Sequence, residues 1–222
     1  GRFAEIEPEL AAIKNPTVRY TATHRRFYKV IDDQMSRLVR AENPIIYLLQ
    51  DLSLESLAAL ALTDKHTSAS DIFFITTNRF SNRLQSNLPE NCSHIDIGNT
   101  NLIFEERLNL LHRLLLESHP SYIHVCGSHV ALEMFNRYAK TFNNKKVLAS
   151  LPGPDVNSKM ATNHTGLNWE LCRYPDLIDF FDHIITDSIE YKERLVDIFG
   201  IDQNRVSVHR SRPYGAQGQA VH

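Results

Sequence analysis

The chain has 222 residues, 42% hydrophobic and 23% charged, a balance that excludes intrinsic disorder and a collagen-like repeat. A formal net charge of −2 argues against a protein whose main task is gripping nucleic acid. No apolar run approaches the roughly 18 residues of a membrane span, and no signal-peptide core stands at the N-terminus; the three cysteines, Cys92, Cys126 and Cys172, form neither a disulfide framework nor a zinc spacing.

In chain order, residues 1–43 read as a helical segment. From His24 to Glu42 the apolar residues Phe27, Val30, Ile31, Met35, Leu38 and Val39 recur at helical spacing and make one stripe. The opposite face is basic, with Arg25, Arg26, Lys29, Arg37 and Arg40. Such a helix either docks on the domain's own core or a partner, or lies on an anionic membrane surface. Asn43-Pro44 ends it, because the residue before a proline is pushed out of the α region.

Beyond Pro44 short apolar segments alternate with amphipathic ones. Strands are predicted at Ile45–Gln50, Asp71–Thr76, His94–Ile97, Tyr122–Cys126, Val147–Leu151, Ile184–Thr186 and Val206–Val208. Helices are predicted at Leu54–Lys65, Phe104–Ser118, His129–Phe142, Glu170–Phe181 and Ile189–Phe199. Several strands are nearly continuous apolar runs, as expected of strands covered on both faces by crossover helices. The expected fold is therefore α/β, a three-layer, doubly wound, Rossmann-like and mostly parallel sheet over residues 44–210. Residues 211–222 read as an exit from the domain.

In an open parallel sheet ligands bind beyond the carboxyl ends of the strands, so the residues just after each strand are the candidates. They are Gln50-Asp51, Thr77-Asn78, Gly127-Ser128-His129, Pro152-Gly153-Pro154-Asp155 and Asp187-Ser188. Gly127 permits a tight turn and Ser128 is a natural helix N-cap, which explains both residue types without any ligand. His129 is either a hydrogen-bonding or acid–base group of the cleft or a solvated first-turn histidine. The 17 residues 152–168 lack periodicity and read as a binding loop or as disorder. They contribute Gly153, Asp155 and His164, and Trp169 follows as an aromatic platform or a packing residue. His124 and His129 are spaced five apart but make a poor metal pair, and no metal site is expected. No G-x-G-x-x-G, Walker loop, G-x-S-x-G or C-x-x-C is present, and no cofactor is expected.

The segment Asp182–Val208 resembles the end of the N-terminal domain in family-4-like GT-B glycosyltransferases. The resemblance rests on Thr186-Asp187-Ser188, Lys192-Glu193-Arg194-Leu195, Gly200-Ile201 and Arg205-Val206, with support from His124–Asp155. Leu151-Pro152-Gly153 stands where a histidine turn is common in that family, and Gln50-Asp51-Leu52-Ser53 lacks its first glycine-rich loop. The resemblance implies a domain that holds the acceptor side of a sugar transfer from a nucleotide-sugar donor to a saccharide, lipid or protein acceptor. The acceptor-binding candidates are Gly127, Ser128, His129, Gly153, Asp155, His164, Trp169, Asp187 and Ser188; catalytic residues are unassigned. The donor would sit in a C-terminal domain beyond an interdomain linker starting near Ser211, and this half alone would be inactive. The expected location is cytoplasmic, with the basic N-terminal helix as a candidate for peripheral contact at the inner face of the membrane. Two alternatives stand beside it. One is a nucleotide-sugar epimerase of the same architecture, which would need carboxylates and histidines inside this half. The other is a non-catalytic Rossmann-like docking module.

Overall fold

The computed structural model describes residues 32–52, 72–78, 92–151 and 173–209. Seven strands form one sheet: β1 Ile45–Leu49, β2 Ile72–Thr76, β3 Cys92–Asp96, β4 Tyr122–Cys126, β5 Lys146–Ser150, β6 His183–Thr186 and β7 Val206–Val208. Their spatial order is β3-β2-β1-β4-β5-β6-β7, and every neighbouring pair is parallel. The order reverses between β1 and β4, which makes the gap beyond their carboxyl ends the topological switch point. The fold is α/β and Rossmann-like, as the alternation of apolar runs and amphipathic segments predicts.

Helix α1, Phe104–Ser118, carries the chain from β3 across the sheet to β4. It opens with Glu105 and Glu106 in its first turn, where the helix dipole favours acid, and the Glu106 carboxylate accepts from the Ile103 N–H at 2.9 Å. Its Leu108, Leu111 and Leu115 are fully buried at helical spacing. Helix α2, His129–Tyr138, continues as a short 3-10 turn over Ala139–Phe142, so the predicted helix tightens in its last four residues. Helix α4, Ile189–Phe199, is capped by Ser188 and closed by Gly200 at φ 65°, whose N–H reaches the Val196 carbonyl at 2.8 Å.

Two predicted elements differ. Of the helix expected over Glu170–Phe181, residues 170–172 lie outside the described residues; Arg173 is helical, residues 174–176 are not, and α3, Leu177–Phe180, is regular. Pro175 lacks the N–H that a helix needs and pushes Tyr174 out of the α region, so the apolar periodicity ran across a break. The third strand begins two residues earlier than predicted, at Cys92. The predicted helix Leu54–Lys65, residues 1–31 and residues 211–222 lie outside the described residues.

One face of the sheet holds the main core. Ile46, Phe73, Ile123 and Val147 project there against Leu111, Phe135, Leu177 and Leu195 from the helices. Leu38 of the helical residues 32–40 is fully buried in the same core, and Met35 packs on it, so this part of the N-terminal stripe faces the domain itself. The other face carries Tyr47, Leu49, Leu52, Ile72 and Phe74, with Cys92 and Cys126 packed against them. Burial pushes the Cys126 thiol up to about 12, far from the range in which a thiolate forms.

That second face also bears three histidines, each paired with a hydroxyl on the next strand. His94 Nε2 lies 2.9 Å from Thr76 Oγ1, His124 Nε2 2.8 Å from Ser150 Oγ, and His183 Nε2 2.9 Å from Ser207 Oγ. These pairs satisfy polar rings on an otherwise half-apolar surface.

Candidate functional site

All seven strands run the same way, so every strand–helix turn described lies along one edge of the sheet. Beyond β1 stand Gln50 and Asp51, beyond β2 Thr77 and Asn78, beyond β4 Gly127, Ser128 and His129, and beyond β6 Asp187 and Ser188. Two strand spacings separate the ends of β4 and β6, on the order of 10 Å.

The floor at the switch point is knitted together by backbone and hydroxyl groups. Thr77 N donates to the Leu49 carbonyl at 3.0 Å and Asn78 N to the Gln50 carbonyl at 3.0 Å. Thr77 Oγ1 donates to the Leu49 carbonyl at 3.2 Å and meets Ser128 Oγ at 2.8 Å. Ser128 Oγ in turn accepts from the Ala131 N–H at 3.1 Å and caps α2. Ser128 is fully buried, so its hydroxyl serves the floor rather than the opening. Gly127 takes φ 66°, a conformation that glycine adopts without a Cβ penalty, and pairs with Leu49 through an isolated antiparallel bridge. Arg107 from α1 donates to the Thr77 carbonyl at 2.8 Å, bringing a cation to the same edge.

His129, the first residue of α2, is half-buried against Phe104, with ring centroids 5.5 Å apart. Its Nε2 lies 3.3 Å from Tyr174 Oη and 3.5 Å from Arg173 Nη1. One turn along α2, the buried Glu133 accepts a short hydrogen bond from Tyr174 and another from Arg137 Nε at 2.7 Å. Arg137 also makes a bidentate pair with Glu105 at 2.7 and 3.0 Å, which ties α1 to α2. Burial and the Arg173 charge hold the His129 imidazole below its usual range, against the pull of Glu133. For Glu133, burial would raise the carboxyl, but the Tyr174 and Arg137 hydrogen bonds and the nearby guanidinium charges hold it below the ordinary carboxylate range. A neutral imidazole and an ionised carboxylate thus stand bridged by one phenol.

The nine sequence candidates fall into three groups. Gly127, Ser128 and His129 sit together at the end of β4. Asp187 and Ser188 lie two strands away: Ser188 Oγ caps α4 by accepting from Tyr191 N at 3.1 Å, and exposed Asp187 accepts from Thr186 Oγ1 at 3.4 Å. Gly153, Asp155, His164 and Trp169 lie outside the described residues. The fold also separates His124 from His129: the former faces Tyr47 on the second face, the latter Phe104 and Tyr174. Among the described residues no group of three His, Cys, Asp or Glu is arranged to hold a metal ion.

Sequence reasoning missed Glu133, Arg137, Arg173 and Tyr174. The one legible signal was the His129/Glu133 spacing of four, which places both on one face of a helix. Tyr174 comes from a distant part of the chain and joins them only through the fold.

The fold and edge define a Rossmann-like α/β domain with a polar switch point. No protein-family model matches the chain, and no curated protein sequence matches it. Solved structures do. The UDP-GlcNAc 2-epimerase of Methanocaldococcus jannaschii, in complex with UDP-GlcNAc and UDP, aligns over 73% of this chain and 45% of its own, at 16% identity and a TM-score of 0.50. The UDP-N-acetylglucosamine 2-epimerase of Rickettsia bellii aligns over 74% of this chain and 44% of its own, at 10% identity and a TM-score of 0.48. The chain therefore spans under half the length of these enzymes, and the likeness is one of fold, to the N-terminal half of a GT-B-like architecture. Among the described residues no helix is long and apolar enough to cross a membrane.

Proposed function

We propose that this domain is one Rossmann-like half of a two-domain enzyme acting on a nucleotide sugar. Its carboxyl edge takes the sugar, and a second domain grips the nucleotide. Epimerisation of the sugar is the leading chemistry. The observation that carries it is the group His129, Glu133 and Tyr174 behind the end of β4, since epimerisation by removal and return of a proton needs acid–base residues inside this half. The likeness in fold to the M. jannaschii UDP-GlcNAc 2-epimerase supports that choice over a family-4-like transferase.

The sugar-facing residues are Gly127, His129, Asp187 and Ser188, with Ser128 holding the floor. Gly153, Asp155, His164 and Trp169 remain sequence candidates outside the described residues. Transfer of the sugar to a saccharide, lipid or protein acceptor is the second reading, favoured by the Thr186-Asp187-Ser188 turn and the helix after it.

The test is to incubate the full-length protein with UDP-N-acetylglucosamine in deuterium oxide and follow proton NMR. A second set of sugar signals with deuterium at the inverted carbon is the expected result. Release of UDP only when an acceptor is added would move the assignment to transfer. Failure to bind or turn over nucleotide sugars would overturn both and leave a docking module.

A further inference from the structure

We propose that a second copy of this chain docks on the groove between the helical residues 32–40 and α1, with the 32–40 helices of the two copies antiparallel about a twofold axis. This pairing goes beyond the nucleotide-sugar reading and does not rest on it.

The groove lies between two helices that run the same way. Residues 32–40 lead into β1 and α1 leads into β4, an adjacent parallel strand, so both helices descend to the amino edge of the sheet. The chain is tied together there, Ser121 N donating to the Pro44 carbonyl at 3.0 Å and Ser121 Oγ to the Asn43 carbonyl at 2.9 Å. Leu38 and Leu111 turn inward to the main core. The outer flanks leave a trough of about 450 Å³ whose apolar lining is Met35, Val39, Leu110 and Leu114. Val39 stays 38% exposed, so the outer edge of the N-terminal stripe is not used up by the domain.

The charges around the trough choose its occupant. Asp32 and Arg40 stand at opposite ends of the 32–40 helix, about 12 Å apart along its axis and too far apart to pair. Among the described residues neither takes part in an ion pair. A twofold axis crossing the helix at Ser36, midway between them, brings Asp32 against the partner's Arg40 and Arg40 against the partner's Asp32. Ser36 is small, which suits close approach of the two helices at the axis. On α1 the trough is flanked by Arg113 and Glu117, again one base and one acid, paired at 2.7 Å. Two acids and two bases leave the rim without net charge, which fits a self-complementary contact and not an anionic membrane. Two helices about 10 Å apart, the longer about 22 Å, present a face on the order of 400 Å² per copy. That is below the roughly 800 Å² per partner of a standard stable interface, so the dimer is a weak, micromolar one.

Sedimentation equilibrium of the chain from about 1 to 500 µM should show a reversible monomer–dimer equilibrium. Arg40→Glu sets like charges together at both symmetric pairs and should weaken association at least about tenfold, as should Asp32→Lys. The double variant Asp32→Lys/Arg40→Glu restores opposite charges across the axis and should return the wild-type association. Val39→Asp puts a charge on the apolar lining and should abolish it. All three positions are exposed, and a circular dichroism spectrum like the wild type's qualifies each variant. A wild-type monomer over the whole range overturns the proposal, and its co-sedimentation with phosphatidylserine vesicles would give the face to a membrane instead. A double variant no tighter than the single ones overturns the antiparallel pairing. Association that Val39→Asp leaves unchanged puts the interface elsewhere and overturns the proposal as well.

Discussion

Thr77 Oγ1 lies 2.8 Å from Ser128 Oγ, joining the end of β2 to the cap of α2 across β1. Thr77 Oγ1 also reaches the Leu49 carbonyl at 3.2 Å, and Ser128 Oγ accepts from the Ala131 N–H at 3.1 Å, so each hydroxyl joins the shared contact to a backbone group. Ser128→Ala should then cost about 1–2 kcal/mol, from the lost cap and the lost contact with the Thr77 hydroxyl. A urea-unfolding cycle with Thr77→Val should show coupling on the order of 0.5–1 kcal/mol. Additive losses would mean that the two hydroxyls act independently.

Gly98 and Gly200 should respond differently to alanine. A Cβ at Gly98 would fall 2.0 Å from the Asn78 carbonyl oxygen and 2.6 Å from its nitrogen, so backbone must move. Gly98→Ala should cost more than about 3 kcal/mol and disturb the β2–β3 edge. At Gly200 nothing lies within 4 Å of the added carbon, and only the φ of +65° resists it. Gly200→Ala should cost about 1 kcal/mol. Similar losses at both positions in thermal unfolding would contradict the close approach at Gly98.

Glu133→Ala leaves the buried Tyr174 hydroxyl without its carboxylate and removes one of two partners from Arg137. The expected loss is about 2–3 kcal/mol. Glu105→Ala, at a half-exposed pair, should cost less than about 1 kcal/mol. The comparison is made by urea denaturation. A larger loss at Glu105 would place the anchor of α1 on α2 at the surface pair instead.

His124 makes stability depend on pH. Burial lowers its imidazole from 6.5 to about 4 in the folded chain. The fold therefore favours the neutral ring, and its stability is undiminished above the unfolded value near 6.5. It is lost as pH falls from there towards 4, levelling off below. The loss is about 3 kcal/mol in total. His94 and His183, also lowered chiefly by burial, act in the same direction. Urea midpoints between pH 7.5 and 4 should fall, and His124→Gln should flatten the curve; parallel curves for the two proteins would exclude His124 as the source.

The local pattern of the chain determined much of this domain. Runs such as Ile72–Thr76 and Tyr122–Cys126 were legible as strands because strands covered on both faces are mostly apolar, and α1 and α4 because their buried residues, Leu108, Leu111 and Leu115 in one and Tyr191 and Leu195 in the other, stand at helical spacing. The edge residues Gly127 to His129 were legible too, since a parallel sheet puts its ligand edge at the strand ends. What periodicity missed was the break at Pro175, where a single residue's missing N–H outweighs an apolar repeat. Tertiary structure alone decided the strand order, and with it that the switch point falls between β1 and β4. It also decided that Ser128 is buried under Thr77 and that Tyr174 meets Glu133, residues 41 apart in the chain. Helix and strand patterns report only which face of an element is buried, whereas a hydrogen-bonded group drawn from several elements depends on how those faces are brought together.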